Sequence, residues 1–261
     1  MNERINSLRY QLYNLLFVSS RWGEYASILR DAKDSGYSFL RLDEFVELVR
    51  NNQEIPKPFL ILRHDIDTDS PSALRFCEIE RELSVKATYF FRKRTWNVSV
   101  IKKVLASGHE IGYHFEELAT YAKRHHLKSA KELQQHLIPM MNILEANLVN
   151  LPGNITINSL ASHGDFANRK LNTTNSLIVQ SPAFREKLGI VYEAYDKDIT
   201  TAYQNHVSDR PYPLRFFPRH PSALIKKLES FLFLTHPRWW QRNAISNIIE
   251  LVNRVKEHML W

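Results

Sequence analysis

Four polar clusters, each directly after a short apolar run, hold the residues of this chain that could do chemistry. Arg63-His64-Asp65-Ile66-Asp67 follows Phe59–Leu62, and His114-Phe115-Glu116-Glu117 follows Glu110–Tyr113. Ser162-His163-Gly164-Asp165 follows Ser159–Ala161, and Thr235-His236-Pro237 follows Phe231–Leu234. Asp65 and Asp67 are two apart, so in extended backbone their side chains leave the same side. Two carboxylates held close repel as free anions, and a divalent cation or a shared proton relieves the repulsion. With one carboxylate on a cation, the other can act as a base towards water. His114 and His163 offer neutral nitrogens suited to zinc or a similar ion. His236 can protonate a leaving group or stabilise an oxyanion. Together these groups describe metal-assisted hydrolysis of an amide or ester. Each also has a plainer role open to it. Asp65 and Asp67 can cap a helix before Ser70-Pro71, His114 can be a satisfied core histidine, His163 a turn residue, and His236 the end of its strand.

Residues spread over about 170 positions meet only if the fold delivers them to one place. Short apolar runs alternate with helical patterns from Phe59 onward, which predicts a parallel α/β sheet, open or closed into a barrel. In such folds the C-terminal strand ends share one face, where active sites form. Strands are expected at Phe59–Leu62, Ala87–Phe91, Glu110–His114, Ser159–Ser162, Ile190–Tyr195 and Phe231–Thr235. Ser70-Pro71 reads as an N-cap with Pro at the first helical position. Leu133, Leu137, Met140, Leu144 and Leu148 stripe one long helix, which Pro139 should kink. Residues 1–55 read as helical, from the spacing of Tyr25, Ile28, Leu29 and Ala32 and of Leu42, Phe45, Val46 and Val49. Ile245, Ile248, Ile249 and Val252 face one side of a terminal helix.

The 261 residues are 44% hydrophobic, which supports a packed core rather than disorder. A single cysteine, Cys77, excludes an intramolecular disulfide framework and a Cys-rich zinc module. No run reaches 18 apolar residues, and the patch Leu15–Val18 lacks the features of a secretory signal, so a cytoplasmic protein is expected. The net charge of +7 suits an anionic substrate or an anionic membrane face. Nucleic acid is not expected, because no helix-turn-helix signature, C-x-x-C pair or aromatic RNP-like run accompanies the charge.

The same stretches carry a resemblance. Leu62-Arg63-His64-Asp65-Ile66-Asp67, Lys86-Ala87-Thr88-Tyr89-Phe90-Phe91 and Gly108-His109-Glu110-Ile111-Gly112-Tyr113-His114 resemble motifs of the polysaccharide deacetylase family of carbohydrate esterases. Ser162-His163-Gly164 and Leu234-Thr235-His236-Pro237 complete the set in order, most similar to the branch of bacterial surface-polysaccharide and O-antigen biosynthesis. The resemblance implies a distorted (β/α) barrel over residues 56–261, with 1–55 as a helical extension packed on it. It implies a divalent metal, zinc first, with Asp67 and His114 as ligands, Asp65 as catalytic base and His236 as catalytic acid. The family's second metal histidine would stand four residues after His114, where this chain has Leu118. Leucine cannot coordinate, so His163 is the first candidate for the third ligand and Glu117, on the same helical face as His114, the second. Arg63 and Trp239 are the expected substrate contacts, Trp239 as a cover for the core or site rim that can also stack on a sugar. The substrate expected is an acetylated sugar, carried on a nucleotide or a lipid pyrophosphate, with peripheral contact to an anionic membrane. A carbohydrate-binding protein that kept the barrel and lost the metal is the alternative, as is hydrolysis of another amide.

Overall fold

The computed structural model describes residues 19–211 and 213–241, with Ile245, Ile248, Ile249 and Val252. The patch Leu15–Val18 lies outside the described residues. Among the described residues nine strands form one sheet: β1 (Ser38–Leu40), β2 (Phe59–Ile66), β3 (Thr88–Phe91), β4 (Glu110–Phe115), β5 (Ser159–Ser162), β6 (Tyr192–Glu193), β7 (Asn205–Asp209), β8 (Phe216–Phe217) and β9 (Phe231–Thr235). Their order is β6-β5-β4-β3-β2-β9-β7-β8, with β1 paired to the first half of β2. Every pairing is parallel except the β7–β8 hairpin. Helices connect most of the parallel strands, as parallel pairing requires. This is the expected α/β class.

The sheet curls but leaves a seam, since β6 and β8 end the order without pairing to each other. β6 stands four strand spacings from β2, roughly 19 Å in a flat sheet. Yet the hydroxyl of Tyr195, just past β6, lies 3.1 Å from the guanidinium of Arg63 on β2. Curling gives two buried faces. Phe59, Ile61, Phe90, Ala161, Tyr192, Leu232 and Leu234 pack inside the curl, with Leu42, Phe45 and Val46 of helix Leu42–Arg50 against them. Leu60, Leu62, Tyr89, Phe91, Tyr113, Phe231 and Phe233 alternate onto the outer face, against helices Trp22–Asp34, Ser72–Leu83 and Val98–Ala106. Eight consecutive buried residues in β2 are what a strand covered on both sides requires.

Several expectations change. Residues 38–40, inside the stretch read as helical, are a strand, so residues before 56 contribute to the sheet itself. Ser70 does not cap a helix with its side chain; its hydroxyl donates to the Thr95 carbonyl, and the helix opens at Ser72. The long stripe from Leu133 divides at His136 into helices Ala130–Gln135 and Leu137–Val149. Pro139 therefore falls in a first turn, where its missing N–H costs little. The strand expected over Ile190–Tyr195 pairs only at Tyr192–Glu193. Ile245, Ile248, Ile249 and Val252 are helical but exposed.

Candidate active site

Register alone places the chemical residues on one face. Asp65 pairs with Phe90 and Phe90 with Gly112, so His114, two residues on, shares their face. His114 pairs with Ala161, which carries His163 to the same side. Arg63 pairs with Leu234 across β2 and β9, and His236 follows two residues later on that side as well. Asp65, His114, His163 and His236 thus all leave the C-terminal strand ends on the concave face. Asp67 lies just past β2. At Gly112 an added Cβ would come within 2.3 Å of the Phe90 ring, so only glycine lets that ring pass beneath the site.

Asp67, His114 and His163 present three ligand atoms within 4.8 Å of one another, all buried. Asp67 Oδ1 is 3.4 Å from His114 Nε2 and 3.5 Å from His163 Nε2. Two donors each at about 2.0–2.1 Å from a common tetrahedral ion lie about 3.4 Å apart. Asp67 Oδ1 is buried with no hydrogen-bond partner, an expensive state for a carboxylate oxygen without a cation. His114 Nδ1 lies 2.8 Å from the Ala161 carbonyl; donating there leaves the Nε2 lone pair facing Asp67, the orientation seen in metal-binding histidines. One carboxylate and two imidazoles thus fit a zinc-like ion. Burial works against the Asp67 anion, but His163, His114 and His236 hold its carboxyl well below the usual range.

A second cluster, Glu116, His163 and Asp165, meets the same distance criterion. Its acids already have cations: Arg92 grips Glu116, and Lys123 lies 2.8 Å from Asp165, which also caps helix Phe166–Lys170. Glu116 Oε2 stands 3.6 Å from His163 Nδ1, on the far side of the ring from Asp67.

Asp65 and His236 are each held by a partner. Arg63 donates two hydrogen bonds of 2.9 Å to the Asp65 carboxylate. Burial would raise the Asp65 carboxyl, but Arg63, His114 and His236 bring it below its ordinary value, so it stands as an anion. On the other strand, His236 Nδ1 lies 2.7 Å from Asp209 Oδ1. Asp209 also accepts from the His236 backbone N–H at 2.6 Å and from Trp240 Nε1 at 2.7 Å. Burial alone would lower the His236 imidazolium; Asp209, with Asp67 and Asp65 beyond it, raises it above the ordinary histidine value.

The remaining expected site residues lie as follows. Arg63 is 2% exposed, lies against the Phe90 and Tyr195 rings and gives both of its hydrogen bonds of 2.9 Å to Asp65, which it holds in place. Glu117 turns away from the site. It accepts from Tyr113 Oη, Asn147 Nδ2 and the Glu116 N–H, so its oxygens are committed away from the site, and burial raises its carboxyl. Leu118 is fully buried in the outer hydrophobic layer. Trp239 is half-buried three residues after His236, with Arg238 stacked on its ring. Sequence reasoning missed Asp209 and Glu116. Asp209 ends the polar strand Asn205–Asp209, where only Val207 signals burial, so no periodicity marks it. Glu116 was visible in its cluster but had no partner until folding brought Arg92 beside it.

No protein-family model matches the chain, and no curated protein matches it. Among solved structures, the chain is similar to the Streptococcus pyogenes deacetylase PplD in complex with acetate. The identity is 16%, over 63% of this chain and 68% of that one, at a TM-score of 0.40. It is similar to a family 4 carbohydrate esterase from Bacillus anthracis, 13% identical over 83% and 84% of the two chains, at a TM-score of 0.37. A CE4 family pseudoenzyme from Bacillus anthracis is 13% identical over 79% of this chain and 63% of its own, at a TM-score of 0.36. The chain therefore spans less than two thirds of that pseudoenzyme.

Proposed function

We propose that this chain is a metal-dependent hydrolase that removes an acetyl group, from nitrogen or oxygen, from a sugar. The observation that carries the reading is the orphaned Asp67 oxygen facing the imidazoles of His114 and His163, with an anionic Asp65 and an Asp209-backed His236 on the same face. Asp67, His114 and His163 would hold the ion, so His163 takes the place that Leu118 cannot fill. A divalent ion there supplies Lewis acidity towards the acyl carbonyl and acidifies water. Asp65, kept anionic and aimed by Arg63, takes the proton of the attacking water. His236, kept protonated by Asp209, gives a proton to the departing amine or alcohol. Asp209 fixes the ring through Nδ1 and leaves Nε2 to carry that proton, as the carboxylate partner of a catalytic histidine does.

The sequence resemblance supports an acetylated sugar of surface-polysaccharide assembly as substrate. The net charge of +7 supports a nucleotide- or lipid-pyrophosphate-linked form of it. The test is acetate release from acetylated nucleotide-sugars and lipid-linked glycans, with zinc, cobalt or manganese added to metal-stripped protein. Metal-dependent release that Asp67→Ala abolishes is the expected result. Binding of such sugars without release under any of the three metals favours the non-catalytic alternative.

A further inference from the structure

The outer face of the sheet, directly behind the site, holds a buried polar network inside an otherwise apolar layer. Glu80 of helix Ser72–Leu83 is fully buried and accepts from the hydroxyls of Tyr25 and Tyr89. His64 Nε2 lies 2.7 Å from Glu80 Oε1, and its Nδ1 shares a 2.6 Å hydrogen bond with the Thr235 hydroxyl. Phe76 stacks on the imidazole at a centroid distance of 4.4 Å, fixing its plane. Burying this much polarity is costly unless every group is paired. Simple packing would be served as well by apolar side chains.

The network's position suggests its use. His64 and Thr235 are register partners on β2 and β9. The next residue on each strand is Asp65 and His236, whose side chains leave the opposite face. A one-residue slip of either strand against the other would turn that strand's side chain away from the site, and a smaller shift would change the separation of the two. We propose that the Glu80–His64–Thr235 chain is a positioning device. From the outer face, it sets where β2 delivers the base relative to where β9 delivers the acid. The inference rests on the reading of Asp65 and His236 as the proton-transfer pair. Glu80 is anchored by two tyrosines from different elements, Tyr25 on helix Trp22–Asp34 and Tyr89 on β3, so it gives His64 a fixed point. His64 passes that constraint to Thr235.

The decisive variants are Thr235→Val, which keeps shape and removes the hydroxyl, and Thr235→Ser, which restores it. Displacements near 1 Å can cost about 10²-fold in rate. Thr235→Val should therefore lower kcat by at least about 10-fold, with KM and bound metal unchanged, and Thr235→Ser should recover most of the loss. Glu80→Gln should lower kcat in the wild-type background and add little in the Thr235→Val background, because it acts through the same hydroxyl. A Thr235→Val protein with a lower melting temperature but unchanged kcat overturns the inference and leaves the network purely structural. If the wild type hydrolyses none of the tested sugars, the proposed function fails instead, and the imidazole nitrogen resonances of His236 decide the inference. They should move in Glu80→Gln and not move further when Glu80→Gln is added to Thr235→Val. Resonances unaffected by Glu80→Gln overturn it, and should that variant not fold, His64→Gln takes its place.

Discussion

Two carboxylates, the half-buried Glu110 and the buried Asp67, stand at opposite ends of the same concave face, and they are built for different ends. Glu110, at the start of β4, receives four donors: Thr88 Oγ1, the Asp43 N–H, Ser159 Oγ and Tyr192 Oη, at 2.6–3.1 Å. Among the described residues it belongs to no group of possible metal ligands, and burial, with nearby Asp43, raises its carboxyl above the ordinary value. Asp67, past the end of β2, has one oxygen without a donor and histidines around it, and its carboxyl is held low. Saturating a carboxylate with neutral donors makes a structural joint, here tying β3, β4, β5 and β6 to helix Leu42–Arg50. Leaving an oxygen unsatisfied beside imidazole nitrogens makes a place that a cation completes. The difference lies chiefly in the neighbours: hydroxyls and an N–H around Glu110, histidines around Asp67.

The largest expected effect breaks the Asp67 end. Asp67→Ala, His114→Ala and His163→Ala should each lose the bound divalent ion and, with it, hydrolysis, as shown by elemental analysis beside acetate release. Glu117→Gln should keep both. Metal retained in His163→Ala and lost in Glu117→Gln would reverse the ligand assignment.

Next in size are the proton-transfer residues, which move protons without holding the ion. Asp65→Asn and His236→Ala should keep the metal and lose about 10²–10⁴-fold in turnover, with little change in substrate binding. Full activity in Asp65→Asn on a confirmed substrate would remove Asp65 as the base.

Asp209→Asn should have a smaller effect with a distinct signature. An acid is active while protonated, so activity falls as pH rises through the His236 value, which Asp209 raises. Removing that carboxylate lowers the value, and the alkaline limb of the kcat/KM profile should move to lower pH. A limb that stays in place would separate His236 from the leaving-group proton.

The smallest effect sharpens the contrast from the other end. Glu110→Gln should leave turnover and metal content alone while costing about 1–3 kcal/mol of stability at low pH, from a donor turned towards donors. The two carboxylates should also titrate with opposite sign in metal-free protein. Glu110, raised on folding, contributes fully below the ordinary carboxylate value and loses that contribution as pH rises through its folded value. The stability gap between wild type and Glu110→Gln should therefore narrow from pH 4 towards pH 8. Asp67, lowered on folding, contributes above the ordinary value and loses the contribution as pH falls through the folded one. Denaturant midpoints of wild type, Glu110→Gln and Asp67→Asn, followed above pH 4 for Glu110 and below pH 4 for Asp67 with chelator present, measure both slopes. Parallel slopes would show that the two ends do not differ as their neighbours suggest.

Much of the site was legible in the sequence because strand ends announce themselves. Apolar runs that stop at Asp65, His114, His163 and His236 mark where a parallel sheet gives way to its functional edge, and side-chain alternation fixes which face each residue takes. The α/β class followed from the same alternation of runs and helices, and a leucine at position 118 ruled out a ligand by chemistry alone. What the sequence could not decide were partners distant in the chain. Asp209 becomes the support of His236 only because β7 lies beside β9, and nothing in Asn205–Asp209 shows that neighbour. Arg63 was expected at the substrate; its hydrogen bonds to Asp65 follow from their spacing in one strand, but only curling brings Tyr195 over its guanidinium. Glu117 and His163 were rival ligands by spacing, and folding separated them, sending one to Tyr113 and Asn147 and the other towards Asp67. Residue type and local periodicity are properties of a few consecutive positions, so sequence determined the inventory of chemical groups and the faces they leave from. Distances between groups 20 to 170 residues apart depend on register and curvature summed across the whole sheet, and only the tertiary structure sets those.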